Sequence, residues 1–264
     1  MMALTLHGVG DLRYEEVPRP ERKPGEVLLK IKAVGICGSD IPRVFTKGTY
    51  HFPTIIGHEF AGEIVEAEDS ELVGRGASVF PLLPCGKCPA CQEEQYARCS
   101  SYDYYGSRRD GAMAEYLAVK KENLCLLPEG VSYEEAAMSE PAAVALHAFC
   151  RSGLGQGYTL LIYGIGTIGL IVAQWAKAAG VKNIILVART DDKVEFAKEQ
   201  GFSLAVNAKK DSLGKLVQEI PNGLGVDACI EGTGSPESWA DCIISHARAQ
   251  GDVLQGYVCD GVDS

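Results

Sequence analysis

The sequence predicts an α/β protein of two domains, a β-rich one over residues 1–148 and a doubly wound one over residues 149–264. Three observations carry this reading. Before residue 133 short apolar runs are punctuated by Gly and Pro, from Tyr158 onward strand-like and helix-like runs alternate, and the first strand-to-helix junction carries Gly164, Gly166 and Gly169. With 264 residues the chain is long enough for two domains of about 150 residues each. Its 46% hydrophobic and 23% charged residues exclude a disordered, collagenous or coiled-coil chain.

Taken in order, Val27–Val34 alternates as a strand does, and Ile64–Ala67, Ser78–Leu83, Tyr116–Val119 and Leu124–Leu127 continue the pattern of a compact β-barrel. From Tyr133 the stretch YEEAAMSEPAAVALHAFCRSGL is Ala-rich, with apolar residues at helical intervals and no turn signal before Gly153, and predicts a helical connection. His147 on it reads as a packed core histidine. Strand and helix then pair four times: Thr159–Tyr163 with Thr167–Ala179, Asn183–Ala188 with Asp192–Gln200, Leu204–Asn207 with Leu213–Ile220, and Val226–Glu231 with Pro236–Ala247. Asp252–Val258 is a fifth strand. Such alternation predicts a parallel sheet covered on both faces.

The charge balance, 25 basic against 35 acidic residues and a net charge of −10, argues against nucleic acid and anionic lipid and for a small-molecule partner. The N-terminus lacks the basic and apolar regions of a secretory signal, and the most apolar run, Tyr158–Leu170, is interrupted by three glycines. A cytoplasmic location is therefore expected, and with it metal binding or burial, not disulfides, for the ten cysteines.

GxGxxG directly after an apolar strand and opening a helix is the context dinucleotide binding needs. Gly164 permits the tight turn, Gly166 lets backbone approach a pyrophosphate, and Gly169 allows close helix–strand packing. Thr167 and Ile168, between the last two glycines, open the helix whose N-terminus faces the negative charge. At the end of the next strand, where an acidic residue would receive the ribose hydroxyls, stand Ala188 and Arg189. Arg189 suits a 2′-phosphate, which favours NADP over NAD. The alternative is that Arg189 is a solvated loop residue and Asp191 or Asp192 serves the ribose.

Cys85, Cys88, Cys91 and Cys99, spaced CxxCxxCx7C, can surround one ion as a closed structural zinc site, with disulfides as the competing reading. Cys37 in GICGSD, His58 and Glu59 in GHEFAGE, and Glu140 in SEPAAVALHAF are of metal-ligand type but scattered. Spacing alone does not bring them together: a buried thiol, a core imidazole and two solvated carboxylates explain them equally well. Cys125, Cys150, Cys229, Cys242 and Cys259 lack metal spacing and read as small buried residues.

Together these motifs resemble the zinc-containing medium-chain dehydrogenase/reductase family, relatives of alcohol and sorbitol dehydrogenases, over essentially the whole chain. The resemblance implies a GroES-like catalytic domain with a structural zinc lobe and a Rossmann domain, two zinc ions, NAD(P) and a homo-oligomer. It implies that Cys37, His58 and Glu140 hold the catalytic zinc, with Glu in the third place as in the polyol branch, and that Glu59 is the acidic neighbour that exchanges with water on the metal. Ser39 would relay the alcohol proton, although a serine capping the turn after Cys37 reads equally well. The stretches Gly38–Arg43, Pro81–Cys85 and Tyr105–Gly111 are similar to family members acting on sugar-alcohol phosphates. The function expected is hydride transfer between a secondary hydroxyl of such a phosphate and a nicotinamide cofactor, with another polyol or secondary alcohol, or an inactive zinc-binding chain, as alternatives. A phosphate calls for a cation, for which Arg43, Arg108 and Arg109 are candidates unless they form surface ion pairs. Tyr50, His51 and Phe52 either line the substrate cleft or form a loop packed on the barrel.

Two departures from the family pattern stand out. Gly76 is followed by Ala77 where the family has Asp, which predicts a lost surface hydrogen bond. The sequence given ends just past the fifth parallel strand, where the family has six and a return to the catalytic domain, so the second domain is expected to be truncated.

Overall fold

The computed structural model describes residues 1–220 and 225–246. The chain divides into two compact units, Met1–Glu140 and the remainder from Pro141. In the first unit, β1 (Met2–Gly8) and β2 (Asp11–Glu16) form an antiparallel hairpin, β3 (Glu26–Val34) leads to a short helix α1 (Asp40–Pro42), and β4 (Thr54–Ile55) pairs back onto β1. Strands β5 (Phe60–Glu66), β6 (Gly76–Val79), β7 (Leu82–Leu83), β8 (Asp103–Tyr104), β9 (Tyr116–Lys120) and β10 (Leu124–Leu126) follow. The larger sheet runs β10-β6-β5-β3-β9 and the smaller β2-β1-β4, both antiparallel, while β7 and β8 form a separate two-stranded ribbon. Between β7 and β8 lies the cysteine-rich excursion with helix α2 (Pro89–Gln92).

Alternation predicts β3, β9 and β10 closely because inward residues such as Val27, Leu29, Leu117 and Val119 share one core with Phe60, Ile64 and Val79. Ser78–Leu83 is two strands, not one: Pro81 has no N–H to give a ladder, and the chain changes sheet there. The hairpin β1–β2 lies outside the predicted strands. Ala77 is fully buried in the main core, so the departure at this position lies in the interior and not on the surface.

The predicted helical connection is two helices, α3 (Tyr133–Ala137) and α4 (Ser139–Arg151). A capping box between Ser132 and Glu135 starts α3, and Pro141 is tolerated in the first turn of α4, where its missing N–H would have no intrahelical partner. Packing divides the chain at 140/141, between the texture change near residue 133 and the expected boundary at 148/149, because Ala145, Ala148 and Phe149 belong to the core of the second unit. Those three define the inner face of α4. His147 lies off it and is exposed, contrary to a core role.

The second unit is a parallel sheet in the order β13-β12-β11-β14, built from β11 (Thr159–Tyr163), β12 (Asn183–Ala188), β13 (Ala205–Asn207) and β14 (Ala228–Glu231). Helices α5 (Thr167–Ala178), α6 (Asp191–Glu199), α7 (Leu213–Glu219) and α8 (Pro236–His246) connect or follow the strands. β11 is buried at every residue, as a strand covered on both faces must be. One core holds Leu160, Ile162, Val172 and Ala176, and another holds Leu161, Tyr163, Val217 and Cys242. The predicted strand Asp252–Val258 and Cys259 lie outside the described residues. Cys229 and Cys242 are buried as expected, whereas Cys125 and Cys150 are exposed because each falls on the outer face of its element.

Candidate metal and nucleotide sites

After β3 the chain turns at Cys37, whose N–H donates to Asp40 Oδ2 at 3.0 Å while Asp40 N–H donates to the Cys37 carbonyl at 3.0 Å. His58 and Glu59 enter β5 almost fully buried. The donor atoms of Cys37, His58 and Glu59 all lie within 4.8 Å of one another. Gly57, just before them, has φ +100° and lies where three backbone segments cross: a Cβ on Gly106 would stand 2.6 Å from the Gly57 carbonyl oxygen, and one on Gly111 would stand 2.5 Å from Gly106 Cα. Only glycines allow that crossing, so the glycines of GHE and YGSRRDG serve the placement of His58.

Burial disfavours the charged form of each group in this cluster, pushing the Cys37 thiol and the Glu59 carboxyl up and the His58 imidazole down. His58 Nδ1 is buried without a hydrogen bond, 3.7 Å from Asp40 Oδ1. A thiol, an imidazole and a carboxylate gathered out of water are a fitting donor set for zinc.

Glu140 stands outside that 4.8 Å group. In the first turn of α4, it accepts a hydrogen bond from the Tyr104 hydroxyl at 3.2 Å, and burial followed by the charge of Glu59 pushes it up to about 7. The Tyr104 ring meets the His58 ring edge-on, with centroids 5.8 Å apart. Ser39 does not cap α1 with its side chain; its Oγ accepts from Arg43 Nη1 at 3.0 Å. Asp40 and Tyr104 were not singled out from the sequence. The signal for Asp40 is its place three residues after Cys37 on a turn, whereas nothing local marks Tyr104.

The four cysteines of the excursion also converge, all within 4.8 Å. Cys88 and Cys91 Sγ are 3.5 Å apart, and Cys85 and Cys91 Sγ 3.9 Å, close to the roughly 3.8 Å edge of a tetrahedron with 2.3 Å Zn–S bonds. Backbone N–H groups of Cys91 and Ser100 bring Cys88 down to about 6, while burial and then Cys88 push Cys91 up to about 12. Cys85 is lowered too, first by the N–H of Lys87.

In the second unit the glycines of GxGxxG have three different surroundings. Gly164 has φ +110°, and a Cβ there would meet Thr233 Cγ2 at 2.9 Å. One at Gly169 would collide with the Gly164 carbonyl oxygen. One at Gly166 would meet nothing within 4 Å, and as N-cap of α5 this residue leaves the first turn, Thr167 and Ile168, without a side-chain cap. That open helix start is where an anion fits. Ala188 is buried and Arg189 is exposed just beyond β12. Asp191 is occupied by Asn207 Nδ2 at 2.7 Å and by an ion pair with Lys210.

The three candidate phosphate ligands separate. Arg43 pairs with Asp40 at 3.0 Å and Arg109 with Asp103 at 3.1 Å. Arg108 lies between the rings of Tyr50 and Tyr102, 4.0 and 4.3 Å from their centroids, and donates through Nη2 to both hydroxyls. Its Nε is buried without a partner, and among the described residues no carboxylate pairs with it. His51 Nε2 lies 3.1 Å from the Arg108 carbonyl oxygen, tying its loop to this turn, while Tyr50 and Phe52 stay exposed.

A family model described as "Alcohol dehydrogenase GroES-like domain" matches residues 23–129, and one described as "Zinc-binding dehydrogenase" matches residues 167–255. A sorbitol dehydrogenase of Bacillus subtilis is 35% identical over 94% of this chain and 72% of its own length. A galactitol 1-phosphate 5-dehydrogenase of Escherichia coli is 39% identical over 77% of this chain and 60% of its own length. Among solved structures, a putative zinc-binding dehydrogenase of Sinorhizobium meliloti bound to NADP superposes with TM-score 0.88 and 31% identity, covering 99% of this chain and 78% of that one. An alcohol dehydrogenase of Escherichia coli CFT073 complexed with NADH superposes with TM-score 0.87 and 31% identity, covering 98% and 77%.

Proposed function

Since this chain belongs to the zinc-containing medium-chain alcohol and polyol dehydrogenase family, we propose that it transfers hydride between a secondary hydroxyl of a sugar-alcohol phosphate and a nicotinamide dinucleotide. The observation that carries this is the convergence of Cys37, His58 and Glu59 in the first unit, with His58 and Glu59 buried and Cys37 partly buried. Those three would hold the catalytic zinc, with Glu140 the fourth candidate ligand, and Cys85, Cys88, Cys91 and Cys99 would hold a second, structural zinc. When bound, a zinc of the first kind lowers the pKa of a substrate hydroxyl, and the nicotinamide accepts the hydride.

The chain's own residues do the rest. Ser39, beside Cys37 and hydrogen-bonded to Arg43, can pass the alcohol proton outward. Tyr104 covers His58 and holds Glu140 on one side. The uncapped start of α5 would receive the pyrophosphate. With Asp191 taken by Asn207 and Lys210, Arg189 and Asp192 remain for the adenosine ribose, and a 2′-phosphate on Arg189, hence NADP, is the reading proposed. No helix among the described residues is long and apolar enough to cross a membrane. A homo-oligomer is proposed from the family.

Arg108 is the cation we assign to the substrate phosphate, since Arg43 and Arg109 already face carboxylates. A panel of free and phosphorylated polyols, with NAD and NADP at equal concentration, tests the reading. Turnover on phosphorylated polyols that Arg108→Ala selectively loses supports it. An unchanged preference for phosphorylated polyols in the variant removes Arg108 from that role, and efficient turnover of sorbitol alone favours a free-polyol enzyme, the reading to which the Bacillus subtilis relative points.

A further inference from the structure

The second unit contains a buried carboxylate that neither metal cluster uses. Glu231, the last residue of β14, is 1% exposed. It accepts hydrogen bonds from the N–H groups of Thr233 (2.7 Å) and Gly234 (3.0 Å) and from the hydroxyls of Thr233 (2.5 Å) and Ser238 (2.6 Å). Oε1 accepts three of these bonds and Oε2 one, so the charge meets four donors inside the fold. Burial works against that charge, yet the donors from Ser238 and Thr233 keep the carboxyl below its usual range.

What these bonds hold is the turn Gly232–Ser235, and that turn sits on the nucleotide motif. Gly232 N–H donates to the Tyr163 carbonyl at 2.9 Å, and the Thr233 methyl occupies the space a side chain at Gly164 would need. Ser235 Oγ accepts the Ser238 N–H at 3.2 Å and so caps the start of α8. Two helices thus begin at the C-terminal ends of adjacent parallel strands in different states. The start of α8 is satisfied by the chain's own oxygens, and that of α5 is left open.

Resting on the reading of the glycine turn as a nucleotide site, we propose that Glu231 is a positioning residue for the dinucleotide. It clamps Gly232–Ser235 against Gly164, which sets the back wall of the phosphate turn and leaves α5 as the helix start that takes the pyrophosphate.

The test is titration of the zinc-loaded full chain with NAD and NADP by calorimetry, together with steady-state kinetics. Glu231→Gln keeps the size of the side chain but presents an amide N–H₂ to donors that need an acceptor. The expected result is about tenfold weaker binding of both dinucleotides, a raised KM for the dinucleotide and an unchanged kcat at saturation. Ser238→Ala, which removes one donor, shifts binding the same way by less, and carries the test if Glu231→Gln does not fold. A lowered unfolding midpoint with wild-type dinucleotide affinity in both variants shows a merely structural role and overturns the proposal. If the wild-type chain binds neither dinucleotide, the nucleotide-site reading fails and the proposal with it; if it binds and the variants bind equally, the positioning role alone fails.

Discussion

Asp40→Asn isolates the group that organises the candidate metal centre. The Asp40 side chain is 2% exposed and faces Arg43, 12% exposed, at 3.0 Å and the His58 ring, 5% exposed, at 3.7 Å. Asparagine has the same shape and can still accept the Cys37 N–H, so the local turn survives. The negative charge does not. Removing one partner of a buried ion pair costs about 3 kcal/mol. For a chain of this size that lowers the unfolding midpoint by roughly 6–12 °C. A carboxylate behind a metal-ligating imidazole also raises ligand basicity, and its loss weakens metal binding about 10- to 100-fold, or ~1.4–2.7 kcal/mol. The assay is zinc retained per chain after dialysis against graded chelator, measured by atomic emission beside a thermal melt. One equivalent, that of the four cysteines, should be retained as in wild type, while the other leaves at lower chelator strength. Wild-type retention of both equivalents with an unchanged midpoint would refute the role given to Asp40.

Three other perturbations probe separate links. Gly169→Ala drives a methyl into the Gly164 carbonyl oxygen, a backbone atom that cannot swing aside, so α5 must move off β11. Dinucleotide binding should fall by at least about tenfold with zinc content unchanged, and calorimetry showing wild-type affinity would contradict this. Cys88→Ser removes one thiolate from the four-cysteine group; the chain should lose one zinc equivalent and gain protease sensitivity confined to residues 85–99, and limited proteolysis shows whether it does. In chelator-treated protein Glu140 has a folded pKa of about 7 against an ordinary 4.5, so its neutral form is favoured by folding. Its contribution is greatest below pH 4.5 and is lost as pH rises through 7, at most about 3 kcal/mol. His58, pushed down by burial, acts in the opposite sense, so the comparison must be wild type against Glu140→Gln. Unfolding free energies from pH 5 to 8 should decline more steeply in the wild type, and parallel curves would remove Glu140 from the balance.

Much of the second unit was legible because its signals are local. A strand buried on both faces, a glycine turn and an amphipathic helix occupy adjacent residues, and β11, Gly164–Gly169 and α5 read off directly. The four cysteines were legible for the same reason, since their convergence spans only residues 85–99. Less could be read in the first unit. The hairpin β1–β2 lies outside the predicted strands, and Ser78–Leu83 conceals a break at Pro81. Ala77 looked like a surface position because one residue of pattern does not reveal which face of β6 is covered.

The sequence by itself determined the α/β class with its two kinds of domain, the glycine motif and the close spacing of four cysteines, because these depend on residue chemistry and on periods of a few residues. Only the tertiary structure decided that Cys37 meets His58 and Glu59 while Glu140 is held by Tyr104, and that of three arginines only Arg108 faces no carboxylate among the described residues. It alone showed that Glu231 clamps the turn behind Gly164. These are contacts between distant segments in places from which water is excluded. Their strength comes from burial and from the partner each group meets, neither of which is written in the local order of residues.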